Sequence, residues 1–196
     1  MRIDKKITIK QMSVLCALLM ASLSGMLMAK DLESQVTQQQ AEAAEQESQT
    51  NLKYLLANVL KKSKSLEDSY GDFSPYGAAL FRDGSVKYVW YAKPGQVAKN
   101  PDKIIPLIWQ TLNSQVNTGQ IAGVAVAYKF KKINDEKMYL GVELEYQTGF
   151  AESFAAEILN GPDNKLEWGN SNVARAEPKL FTLKEMGESA DLPLSK

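Results

Sequence analysis

One nine-residue run, Met138 to Tyr146 (MYLGVELEY), constrains this chain more than any other. Met138, Leu140, Val142, Leu144 and Tyr146 alternate with Tyr139, Gly141, Glu143 and Glu145. That period of two specifies a β-strand with one apolar face and one face carrying two carboxylates. Such a strand is stable only within a sheet whose apolar face is covered, so the remaining sequence must supply both partner strands and a cover.

The partner strands are readable. Gly77 to Phe81 and Val86 to Ala92 flank Arg82-Asp83-Gly84-Ser85. Asp-Gly between two β-prone runs is a hairpin signal, because the turn needs a positive φ. Pro94-Gly95 ends the second run. Ile121 to Phe130 reads as a strand with Gly123, Ala125 and Ala127 on one face and Ala122, Val124, Val126 and Tyr128 on the other. The small side chains there would let a helix pack close. Asn134-Asp135 and Thr148-Gly149 mark turns, and Phe150 to Leu159 fits a strand or a short helix; the alternation of Phe154, Ala156 and Ile158 favours the strand. Gly161-Pro162-Asp163-Asn164 is a further turn, and Lys165 to Trp168 adds a short sixth strand. Short links between successive strands imply antiparallel pairing.

Two segments can cover the sheet. Leu52, Leu55, Leu56, Val59 and Leu60 recur at helical spacing from Thr50 onward. Asn100-Pro101-Asp102 opens a second helix, with Ile105, Ile108, Trp109, Leu112 and Val116 on one face and Gly119 as its stop. Pro106 moves the expected start a few residues later. Tyr70 to Tyr76 (YGDFSPY) reads as a loop. The sequence therefore specifies an α+β domain over residues 49–181, a single antiparallel sheet of about five strands packed with two amphipathic helices. A polar tail, 182–196, follows it.

What precedes the domain sets the compartment. Lys5, Lys6 and Lys10 stand before an apolar run from Met12 to Met28, which reads as a secretory signal peptide of the bacterial type over residues 1–29. Cleavage falls at Ala29 or at Ser24, with Ala29 preferred because the polar chain begins directly after it. The alternative is an uncleaved signal anchor, which leaves the domain on the same side of the membrane. Cys16, the single cysteine, follows Leu15 rather than a small residue, so the run is not a lipoprotein signal. Residues 30–48 are rich in Gln, Glu and Ala and read as a polar helical or disordered linker. The expected location is periplasmic or secreted.

The charge balance follows from that division. Of 23 basic and 23 acidic residues, four and one stand in the first 29, leaving 19 and 22 and a net charge of −3. This gives no electrostatic reason to bind nucleic acid, and membrane contact is expected only through a retained N-terminal segment. The chain has no histidine, and beyond residue 29 no cysteine. The usual general base, the Ser-His-acid triad, thiol catalysis and the common zinc ligand sets are therefore excluded. No phosphate-cradling glycine loop or calcium-loop spacing occurs. No cofactor or metal is expected.

Three side-chain groups remain. Glu143 and Glu145, about 7 Å apart on one strand face, could act as acid and base on a glycosidic bond; a solvated sheet face is the plainer explanation. Ser63 and Ser65 lie among lysines in KKSKS, a pattern of soluble surface more than of serine–lysine catalysis. Between Tyr70 and Tyr91 seven aromatics concentrate, with Tyr88 and Trp90 facing one side of the strand and Val89 and Tyr91 the other. They either brace the hairpin or, since Tyr and Trp are favoured interface anchors, present a surface to another protein. Tyr76, Tyr88, Trp90 and Tyr91 are the candidate partner-binding residues, and no catalytic residue is assigned.

The run Phe73-Ser-Pro-Tyr-Gly-Ala-Ala-Leu-Phe-Arg-Asp-Gly, with the later Val142-Glu-Leu-Glu-Tyr, resembles small uncharacterised bacterial α+β domains that carry a PYGAxL…DG opening. The order of elements is similar to roadblock and profilin sandwiches, which mostly serve binding. The functional expectation is an exported, non-catalytic protein-binding module, an immunity protein against a bacterial toxin being one form. The alternatives are a carboxylate-dependent hydrolase of envelope glycans and a structural or assembly factor of the cell envelope.

Overall fold

The computed structural model describes residues 9–98 and 100–182, with backbone alone for 9–36 and 164. The chain divides into two compact units, residues 1–44 and 45–196. A single helix, α1 (Ile9–Tyr70), supplies the first unit and the first element of the second. The expected signal peptide, its cleavage site and the tail beyond Thr182 concern side chains and residues outside those described. Among the described residues, no helix is long and apolar enough to cross a membrane.

The second unit is an α+β fold built on one open, six-stranded antiparallel sheet in the order β2-β1-β3-β4-β5-β6. The strands are β1 (Tyr76–Phe81), β2 (Val86–Trp90), β3 (Ile121–Lys131), β4 (Met138–Tyr146), β5 (Ala151–Asn160) and β6 (Leu166–Arg175), with α2 (Pro101–Val116) between β2 and β3. Of residues 150–159, all but Phe150 thus lie in a strand. The sixth strand is ten residues long rather than four, because pairing with β5 carries it through Asn170-Ser171-Asn172, where no apolar alternation announces a strand. β1 starts one residue earlier than the sequence suggests and β2 ends at Trp90 rather than Ala92. In the turn between them Gly84 takes the positive φ of +82°, with its N–H on the Phe81 carbonyl and Ser85 N–H on the Asp83 carboxylate.

Two cores lie on opposite faces. On one, Leu52, Leu55, Val59 and Leu66 of α1 pack over Ala78, Ala125, Ala127, Leu140, Val142, Leu144 and Phe154. The small residues of β3 lie beneath α1, and a Cβ on Gly123 would stand 3.8 Å from Leu55, an ordinary contact. On the other face, Ile108 and Leu112 of α2 pack over Ala79, Ile121, Val124 and Val126. A Cβ on Gly77 would stand only 2.7 Å from Ile108 Cγ2, so α2 reaches this depth because β1 has no side chain there. The helix starts at Pro101, but Asn100 makes no side-chain cap. Pro106, expected to delay the start, sits inside the helix, where it removes only the bond to the Asp102 carbonyl.

The domain begins earlier than the leucine stripe implies. Ser48, assigned by composition to the linker, is fully buried and bonds to Thr148 at 2.7 Å. Glu47 accepts from the Tyr146 hydroxyl at 2.8 Å. Two β-bulges break the ladder. One gives β3 an extra residue opposite Leu80–Phe81, and the other gives β6 an extra residue opposite Ala156–Ile158.

Candidate functional site: the aromatic edge strand

Of the four candidate partner-binding residues, Tyr76 is corrected by the structure. Its exposure is 0%. Its hydroxyl donates to the Val59 carbonyl at 2.9 Å and so receives the proton of Ser63 Oγ at 2.8 Å, within the packing beneath α1. Burial pushes that hydroxyl's pKa up. Tyr76 is a core residue, and the same bond makes the buried Ser63 a positioning group for it rather than a nucleophile. The concentration of aromatics does not by itself indicate which member α1 covers.

Tyr88 and Trp90 remain half-buried. Trp90 stacks on Tyr76 with centroids 4.8 Å apart, and Tyr88 meets it at 5.9 Å. Lys62 of α1 lies over both rings, 5.8 Å from Tyr88 and 5.6 Å from Trp90. Tyr91, just past the strand, is 47% exposed. Its hydroxyl is 3.1 Å from the Leu107 carbonyl and 2.6 Å from Thr111 Oγ1, fixing the end of β2 to α2. The expected division of the hairpin is met: Tyr88 and Trp90 pack toward α1, Val89 toward α2.

The position of β2 matters more than its composition. It is an edge strand, paired only with β1. The Phe81 N–H bonds to the Ser85 carbonyl, so in the antiparallel alternation Lys87 and Val89 also turn their backbone groups toward β1. Val86, Tyr88 and Trp90 therefore turn theirs outward. Beside this edge a cavity of about 340 Å³ opens between β2 and the end of α2, lined by Lys87, Tyr88, Val89, Gln115, Thr118 and Ile121 among others. Lys87 lies over the Phe81 ring at 4.3 Å, and Lys61, like Lys87, is exposed. These cations were not singled out by the sequence. The helical spacing of Lys62 against Leu55 and Val59 would have placed it at the margin of the apolar face, which is where it meets the rings.

The two carboxylates of β4 do something unforeseen. Glu145 is buried, with an exposure of 2%. One of its oxygens accepts the N–H of Lys179 at 2.8 Å; the other accepts those of Leu180 at 2.8 Å and Phe181 at 3.4 Å. Leu180 and Phe181 pack into the core beneath α2. Glu143 pairs with Lys179 and accepts from the Tyr128 hydroxyl at 3.1 Å. Burial, with the Glu143 charge and its hydrogen bond adding to it, pushes the Tyr128 hydroxyl up to about 12. An open solvated face does not describe the pair: together they fasten the segment 179–181 across the sheet. No group of His, Cys, Asp or Glu with the arrangement of a metal site occurs among the described residues.

No family model, no curated protein and no solved structure matches this chain.

Proposed function

We propose that the protein is an exported, non-catalytic binding module that receives an extended acidic segment of another protein along β2. The observation that carries this reading is the edge itself. Val86, Tyr88 and Trp90 present outward backbone donors and acceptors, flanked by Lys62 and Lys87 and adjoined by a side-chain-sized cavity. Strand addition draws its affinity from main-chain bonds and its specificity from pockets for alternate side chains, and the outward groups of β2 with the adjoining cavity support that reading. The lysines favour acidic residues in the incoming strand and speed its approach. An immunity protein that neutralises a secreted toxin is one form of this reading, and an envelope assembly factor is another. The hydrolase alternative has less support, since Glu145 is engaged by three backbone N–H groups and Glu143 by Lys179.

The test compares partner capture from a periplasmic extract by the wild-type chain, Val86→Pro and Lys87→Glu. Proline at 86 removes an outward N–H without breaking a bond to β1. Selective loss of one captured protein by both variants, with unchanged melting temperatures, is expected. Equal recovery by all three sinks the reading.

A further inference from the structure

At the turn end of the β1–β2 hairpin, remote from Tyr91, a second cavity of about 520 Å³ lies between α1 and the sheet. Leu80, Phe81 and Ala122 give it an apolar part, while Glu47, Asn51, Tyr54, Tyr146 and Gln147 give it a polar one. It sits where the bulge in β3 breaks the ladder with β1, and the Ala122 carbonyl is taken by the Gln147 N–H at 2.8 Å. Bulges recur beside functional sites because they re-aim the chain.

The polar groups have a shared bias. Asn51 Nδ2 donates to the Tyr146 hydroxyl at 2.9 Å, which donates in turn to Glu47 Oε1 at 2.8 Å. That relay spends one Asn51 N–H and the Tyr146 hydroxyl, and leaves as acceptors the other Glu47 oxygen and Asn51 Oδ1. Gln147 Oε1 is buried with no hydrogen-bond partner. An acceptor left unmet in this way is destabilising, so a donor that reaches it is favoured. Glu47 makes no ion pair among the described residues. The one cation in the lining, Arg82, gives its Nε to the Gly119 carbonyl at 2.8 Å.

We propose that this cavity binds an ammonium or guanidinium group on a short alkyl stem, with Glu47, Asn51 and Gln147 accepting its N–H groups and Leu80, Phe81 and Ala122 holding the stem. A cation that meets a carboxylate and neutral acceptors together gains charge-assisted bonds that a neutral donor does not. The same chemistry is carried by a free amine and by a lysine or arginine side chain of a peptide.

The full chain is titrated calorimetrically with agmatine, with a blocked Ala-Arg-Ala tripeptide and with glutarate. Saturable binding of agmatine or the tripeptide is expected, and whichever binds more tightly identifies the source. Glu47→Gln and Gln147→Leu should each weaken that binding by about tenfold or more. Tyr91→Phe, in the β2 region, should leave it unchanged, so that failure here and failure of strand addition are told apart. Glu47 is exposed, and circular dichroism of its variant checks that the fold persists. Absence of saturable binding by both cations, wild-type affinity in Glu47→Gln, or glutarate binding as tight as agmatine would overturn the proposal.

Discussion

Glu145 illustrates how one side chain can hold a distant segment. Its carboxylate is the acceptor for three successive backbone N–H groups, and none of them has an equivalent acceptor if it is lost. Glu145→Ala is therefore expected to lower stability by about 2–4 kcal/mol, with urea unfolding as the measurement. Amide exchange at Leu180 and Phe181 should quicken before global unfolding does. Tyr128 gives a pH signature. Its folded-state pKa of about 12 lies above the value near 10 of an unfolded tyrosine. The native state then keeps a proton that the unfolded chain releases, so this stabilisation is complete below about pH 10 and is lost as pH rises through about 12. Urea midpoints followed across that interval should fall less steeply in Tyr128→Phe than in the wild type. Neither role was legible beforehand. The period of two assigned Glu143 and Glu145 to a common face, but nothing local in the sequence announces a partner 34 residues further along at Lys179. The fate of Tyr76 was hidden for a related reason, since both faces of its strand are apolar and both are covered.

At the scale of elements, the sequence spoke clearly wherever a side chain had one buried and one open side. The stripe of α1 was readable for that reason, while β3 and β4 were readable from their alternation although both of their faces are covered. The small residues of β3 lie beneath α1, but the helix that comes closest to the sheet is α2, at Gly77. The sequence was silent for the second half of β6, where Asn170 to Arg175 are exposed throughout and only hydrogen bonding to β5 defines the strand. The seating of α2 on Gly77 is a testable case of packing set by an absent side chain. Gly77→Ala places a Cβ 2.7 Å from Ile108 Cγ2 and 3.3 Å from both Leu112 Cδ1 and Val89 Cβ. The helix must then shift, at an expected cost of about 1–3 kcal/mol, measured by thermal unfolding; Ile108→Ala in the same chain should recover part of that loss by making room.

For the whole molecule, the contested boundary lies at the start of the domain. A chain beginning at residue 40 keeps Glu45 with Arg175, Glu47 with Tyr146 and the buried Ser48 with Thr148. A chain beginning at residue 50 loses all three, and is expected to be less stable by about 1–2 kcal/mol. Equal unfolding midpoints for the two would return the boundary to Thr50, where the leucine stripe alone puts it. Composition could not decide this, because a buried serine in a polar run looks like its neighbours.

The bulge in β6 has a consequence for assembly. The two free margins of the sheet are not equivalent: along β2 the outward amides keep an even step, whereas in β6 the extra residue puts them out of phase partway along. Indefinite stacking of such sheets requires two compatible margins, one to receive and one to be received. Under the proposed strand addition at β2, a molecule with one receptive side is extended once and then stops, so the expected limit is a finite complex and not a fibre.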